Sequence, residues 1–256
     1  LSMAAPGEWK TYVKYMLRPL SHLYATHYMA CGEDCGIFQF GKKAFDEGKI
    51  AIFKTAINTE FNSYKPELRN ETRKKFGWED KVVYGFIGRF EHQKNPLFLI
   101  DVMSEIYKRQ KKAQFVIIGA GVLEEKMKER IKETGIEPAM SWLGRREDIQ
   151  QFYNAFDAFL LPSRYEGLPV VGLESQSCGL PMFFSTVVTP GASACELGHF
   201  INLDDGAAAW AEKIIPVVEK NIPVRRSHAK EVADAGFDSK TEAEKMLQYY
   251  LNALKG

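Results

Sequence analysis

The sequence has few cysteines, almost no net charge and no long apolar run, and each shortage removes a class of protein. Cys31, Cys35, Cys178 and Cys195 are the four cysteines in 256 residues. They have neither the density of a secreted disulfide scaffold nor the paired spacing of a zinc site, so reduced, mostly buried thiols are expected. Lysine and arginine together number 34 against 33 aspartates and glutamates, a net charge of +1. No overall field drives such a chain onto nucleic acid or an anionic membrane, so an anionic partner must be caught by local groups. No apolar stretch approaches the roughly 20 residues of a membrane-spanning helix, and the start lacks the order of a signal peptide. A cytoplasmic protein is expected, with contact at the inner face of the membrane left open.

What is present suits a folded α/β protein. Hydrophobic residues make up 45% and aromatic residues 12% of the chain, enough for one good core or one core plus part of another. From Val82 onward short apolar runs alternate with longer amphipathic stretches, the pattern of a doubly wound parallel sheet. Strands are expected at Val82–Ile87, Gln114–Ile118, Met140–Leu143, Ala158–Leu161 and Pro181–Ser185. Asn95-Pro96 reads as a helix start, Asn accepting from free amides and Pro filling the first helical position, with the helix running to about Gln110. After Ser185 the pattern turns helical through Ala207–Val218, Val224–Ala235 and Lys240–Leu254.

The first sixty residues differ: a helical stretch Trp9–Ala25, a strand His27–Ala30, a helix near Glu33–Phe40 and a strand Lys49–Phe53. Two strands are marginal alone, so residues 1–58 read as the tail of another α/β domain whose remaining strands lie upstream. Residues 59–238 form the main domain, and 239–256 a closing helix that packs back towards the first. The face of Trp9–Ala25 carrying Lys10, Lys14 and Arg18 beside Val13, Leu17, Leu20 and Tyr24 suits either packing on that domain or peripheral contact with anionic lipid.

Ligands of open α/β sheets sit at the carboxyl ends of the strands, so the loops there carry the chemistry. After the first strand, Gly88 is followed by two cations, Arg89 and Lys94, a fork and a point charge suited to a diphosphate. Two solvated surface cations are the alternative. After the second strand, Gly119 and Gly121 let backbone approach a ligand ahead of a helix, or make a tight connection only. After Leu161 comes Pro162-Ser163-Arg164-Tyr165-Glu166-Gly167-Leu168-Pro169-Val170-Val171-Gly172-Leu173-Glu174. The amides of Gly167, Leu168 and Val170 open a helix, where they favour a hydroxyl or phosphate. Glu166 and Glu174 flank that start and reach different parts of one elongated ligand.

In these motifs and their order the chain resembles the retaining glycosyltransferases of the glycogen-synthase-like group, family 4 or glycosyl transferases group 1, with the two-Rossmann GT-B fold. Bacterial capsular and exopolysaccharide enzymes are the most similar members. The resemblance implies that Arg89, Lys94 and Glu166 are the catalytic-site residues. Arg89 and Lys94 would hold the donor diphosphate and stabilise the departing nucleotide, so no metal or other cofactor is implied. Glu166 and the amides after it would hold the transferred sugar, Glu174 would take the ribose hydroxyls, and the loop at Trp142-Leu143-Gly144-Arg145, with Leu143 at its centre, would receive the base. The implied partners are a nucleotide sugar, taken as UDP-linked, and a saccharide or glycolipid acceptor, with no nucleic acid. Thr55-Ala56-Ile57-Asn58 departs from the Asn-Gly-Ile-Asp usual in the family. None of His22, His27, His92, His199 or His228 stands where members carry a catalytic histidine in the acceptor-binding domain. Two other readings stay open: a nucleotide-sugar-binding module without catalysis, and a glycoside hydrolase using Glu166 and Glu174 as an acid/base pair.

Overall fold

A computed structural model describes Met16 and residues 25–255. The helical expectation at Trp9–Ala25, and with it His22, lies outside the described residues but for Met16 and Ala25. The chain forms two units, one from the stretch up to Ala56 together with that from Gly236 onward, the other from Ile57–Ala235.

The smaller unit holds β1 (Tyr28–Ala30), α1 (Glu33–Phe40), α2 (Lys42–Asp46) and β2 (Ile50–Ile52). The two strands pair in parallel, Tyr28 opposite Ile50. Gly36 lets α1 lie close on them, since a Cβ there would meet Ile50 at 3.2 Å and Ala30 at 3.3 Å. The last helix, Ser239–Ala253, belongs to this unit. Asp238 caps it by accepting from the Thr241 amide at 3.1 Å. A carboxylate oxygen of Glu242 accepts from the Lys54 amide at 3.0 Å, and Tyr249 meets Phe53 edge-on at 5.5 Å.

The larger unit follows one repeating plan: α3 (Pro66–Phe76), β3 (Val82–Ile87), α4 (Pro96–Arg109), β4 (Ala113–Ile118), α5 (Glu124–Thr134), β5 (Met140–Trp142), α6 (Ile149–Ala155), β6 (Ala158–Leu161), α7 (Val170–Ser177), β7 (Met182–Ser185), β8 (Gly198–Ile201), α8 (Gly206–Asn221) and α9 (Ala229–Val232). Its parallel sheet runs β5-β4-β3-β6-β7-β8. Strand order therefore reverses between β3 and β6, where a doubly wound sheet opens its ligand crevice. Strands β4, β6 and β7 are buried throughout, which is why they read as near-continuous apolar runs rather than as an alternation. Gly85 in β3 makes room for Phe156, whose ring would lie 2.1 Å from an added Cβ.

Three local expectations are corrected. Residues 198–201, where no strand was expected, form the edge strand β8. Asn95 precedes α4 but does not cap it through its side chain; it takes a left-handed conformation, φ 53°, and is buried. The stretch expected as one helix over Val224–Ala235 is a short turn, α9 and a wide π-type turn through Gly236, whose φ of 85° ends regular helix.

Beneath the sheet, at the amino ends of β3 and β6, a buried ionic cluster ties α3 to the core. Asp157 accepts from Arg69 at 2.5 Å, from Arg73 at 2.9 Å and from the Val83 amide at 2.8 Å. Arg225 donates to the carbonyls of Tyr153 at 2.7 Å and Cys178 at 3.0 Å. Every strong group here has a partner. Among the described residues no helix is long and apolar enough to cross a membrane.

Candidate functional site

At the opposite, carboxyl ends of β3, β4 and β6, the loops singled out in the sequence are stitched to one another. The loop after β3 contains the short turn His92–Lys94, held by the Lys94 amide donating to Glu91 at 3.0 Å. That turn, followed by the left-handed Asn95, points Lys94 across to the loop after β6, where its Nζ donates to Glu166 at 2.6 Å. Both side chains are well shielded, at 14% and 8% exposure. The same Glu166 oxygen accepts from Ser163 at 2.8 Å, and the other lies 3.3 Å from Gln93 Nε2. Gln93 also donates to the Tyr165 carbonyl at 3.1 Å and accepts the Arg164 amide on its own carbonyl at 2.8 Å. Lys94 and Glu166 thus meet in a network that also contains Gln93 and Ser163, which the sequence reading did not select.

Arg89 behaves differently. Its guanidinium is 65% exposed and, among the described residues, bonds only to neighbours in its own loop, Glu91 at 3.1 Å and Gln93 at 3.4 Å. Such contacts are worth little in water, so the fork is available to a ligand.

The glycines divide by role. Gly88 donates to the Ile118 carbonyl at 3.0 Å, joining the β3 and β4 loops. Gly119 has φ 143°, and a Cβ there would lie 1.9 Å from the Gly88 carbonyl oxygen; a Cβ on Gly121 would lie 2.5 Å from that of Phe90. In this structure the backbone that approaches both glycines is the neighbouring loop. Gly167 is unlike them: its φ is ordinary for any residue, and an added Cβ would meet nothing within 4 Å. Open space surrounds it at the mouth of α7. Among the described residues the amides of Gly167, Leu168 and Val170 bond to no protein acceptor; Val170 is the first residue of the helix, where a free amide is expected, and Gly167 and Leu168 precede its N-cap, Pro169.

Glu174 sits inside α7, half-buried, and accepts from the hydroxyl of buried Tyr153 at 2.7 Å. Burial raises its pKa, an effect only partly offset by the Tyr153 hydrogen bond. Its second oxygen takes no hydrogen bond among the described residues. Tyr153 is a further residue the motifs gave no sign of, since it lies on α6. Leu143 follows β5, its amide bonded to the Ile117 carbonyl at 3.0 Å and its side chain packed on the core. Gly144 beside it accepts the Gly119 amide at 2.8 Å, fixing this loop to the one after β4.

The sequence profile of the family described as Glycosyl transferases group 1 matches residues 69–234, a span that contains every side chain of this network. The chain belongs to that family. Among relatives of this glycosyltransferase domain is the Bacillus subtilis protein named for glycosyltransferase EpsF, 29% identical over 245 residues, which are 94% of this chain and 64% of the relative. Another is the Escherichia coli UDP-Gal:alpha-D-GlcNAc-diphosphoundecaprenol alpha-1,3-galactosyltransferase, 35% identical over 148 residues, 56% of this chain and 38% of the relative. The chain thus spans less than two thirds of either relative. The fold matches that of HepE from Anabaena, crystallised in complex with UDP, with a TM-score of 0.78 at 18% identity, over 97% of this chain and 70% of that one. The glycosyltransferase domain is therefore a Rossmann-like, GT-B-type sheet, and its crevice is the place to look for function.

Proposed function

We propose that this chain carries the donor site of a retaining glycosyltransferase, which moves a hexose from a nucleoside-diphosphate sugar, UDP-linked, onto a saccharide or glycolipid acceptor in polysaccharide synthesis. The observation that carries the reading is the shielded Lys94–Glu166 pair beside the unbonded amides of Gly167, Leu168 and Val170, with the exposed Arg89 at the end of the adjoining strand. The diphosphate accepts from Arg89 and Lys94, and their charges stabilise the leaving nucleotide as the glycosidic bond to phosphate breaks. No metal is needed for that role. Glu166 and the amides after it hold sugar hydroxyls, the free oxygen of Glu174 takes the ribose, and the Leu143 loop receives the base. That the E. coli relative is named for a UDP-sugar and HepE binds UDP supports the choice of nucleotide.

A second reading is nucleotide-sugar binding without transfer. Transfer needs donor and acceptor gathered in one closed, water-poor cleft. The hydrolase reading finds less support, because Glu166 is committed to Lys94 and Ser163. Turnover of a nitrophenyl glycoside would revive it. The test is calorimetric titration with UDP, GDP and ADP, repeated on Arg89→Ala and Glu174→Ala. Selective UDP binding weakened by both substitutions is expected; binding unaffected by either would remove the assignment of these loops.

A further inference from the structure

Away from the crevice, the segment leading into β8 meets the start of α9. There Cys195 Sγ, a carboxylate oxygen of Glu196 and a ring nitrogen of His228 all lie within 4.8 Å of one another. His228 is only 5% exposed, and its Nδ1 is a buried atom with no hydrogen-bond partner. Such atoms are rare in folded proteins, because losing water without a replacement costs about 1–3 kcal/mol. The groups nearest to it are carboxylates that stop short of a hydrogen bond, Glu196 at 3.7 Å and Glu231 at 3.6 Å. Burial, followed by the charge of Arg226, lowers the His228 pKa and keeps the ring neutral, the form that ligates metals. The imidazole nitrogen stands near a thiol and two carboxylates, of which Arg226 holds Glu231 at 2.6 Å and reaches Glu196 only at 3.8 Å, leaving Glu196 the more available donor to a cation.

We propose that Cys195, Glu196 and His228 form a binding site for a soft divalent cation, Zn2+ being the best fit, which pins the entry of β8 to α9. Sulfur and imidazole together select zinc over magnesium or calcium. Zinc holds such ligands at about 2.0–2.3 Å, roughly 3.5 Å from one another. The group must therefore close by about 1 Å from its present spread of 4.8 Å; Glu196 already stands 3.7 Å from His228 Nδ1. Cys195 is a free thiol that carries its proton. Binding forms the sulfur–metal bond and releases that proton to solvent. Glu231 stays with Arg226, 2.6 Å away, leaving the fourth tetrahedral position to water. The cysteine spacing gave no hint of this because the ligands come from two distant segments.

The test uses the chain with Cys31→Ser and Cys35→Ser, which removes the two thiols of the smaller unit. Titration with Zn2+ is expected to show one equivalent bound, and Co2+ to give the near-ultraviolet charge-transfer band of a thiolate ligand. Zinc at about a hundred times its Kd should raise Tm by roughly 5 °C or more. Cys195→Ser should abolish the cobalt band. Glu196→Gln, at an exposed position that leaves the fold intact, should weaken zinc at least tenfold. A missing cobalt band in the Cys195-containing protein, or zinc binding unchanged in both variants, would overturn the proposal.

Discussion

The two ends of the large sheet carry similar side chains and use them in opposite ways. At the amino ends Asp157 and Arg73 are buried, Arg69 and Arg225 are half-buried, and all four have hydrogen-bond partners in the protein. At the carboxyl ends Arg89 is exposed and, among the described residues, amides at the mouth of α7 have no acceptor and Glu174 keeps a free oxygen. Charge alone therefore does not mark a site. A saturated network fixes the fold, whereas groups held in place with capacity to spare are what a ligand can use.

That contrast can be broken most sharply at Asp157. Asp157→Ala leaves two guanidinium groups and the Val83 amide facing a buried gap, and should cost about 3–5 kcal/mol in urea unfolding. Next in size is Gly119→Ala, which places a methyl against the Gly88 carbonyl at a backbone angle closed to other residues. It should lose about 1–3 kcal/mol in the same assay and impair nucleotide binding. Arg89→Ala is expected to leave stability within about 0.5 kcal/mol while weakening UDP roughly 10- to 100-fold by calorimetry, the worth of a charged hydrogen bond. If it destabilised the protein as Asp157→Ala does, the distinction between the two ends would fail.

The smallest effect concerns pH. Glu174 has its pKa raised by burial, so between its ordinary value and the raised one the folded state binds more protons than the unfolded state. Stability must then fall as pH rises through that window. Glu174→Gln removes this dependence while keeping an acceptor for Tyr153. Unfolding curves of the two proteins should converge in acid and separate, with the variant the more stable, once pH exceeds the raised value. Parallel curves throughout would show that Glu174 is solvated as an ordinary carboxylate.

Much of the sheet was legible because parallel strands covered on both faces must be continuously apolar, as in Phe115-Val116-Ile117-Ile118 and Ala158-Phe159-Leu160-Leu161. The edge strand β8 escaped because Gly-His-Phe-Ile is short, half-buried and opened by a glycine. That glycine is required by packing, a Cβ there falling 2.3 Å from the Ser193 hydroxyl. Asn95-Pro96 marked the helix start correctly but not its mechanism, since the capping rule is silent about a left-handed backbone. At the site, strand–loop–helix spacing selected Lys94 and Glu166 separately. Their bond joins residues 72 positions apart, and no local pattern encodes such a pairing. Tyr153 was invisible for the same reason: its link to Glu174 bridges two helices.

The reversal of strand order between β3 and β6 also bears on how the protein assembles. Strands β3, β4 and β5 pair through neighbours in sequence, as do β6, β7 and β8, whereas the seam between the two sets joins Val83 to Asp157 across 74 positions. Long loops close slowly because chain entropy opposes them before any contact repays it. The residues assigned to the ligand stand on both sides of that seam, Arg89 and Lys94 on one, Glu166 and Glu174 on the other. On that assignment each half of the sheet supplies only part of the ligand's contacts, so nucleotide binding would report that this long-range junction is complete.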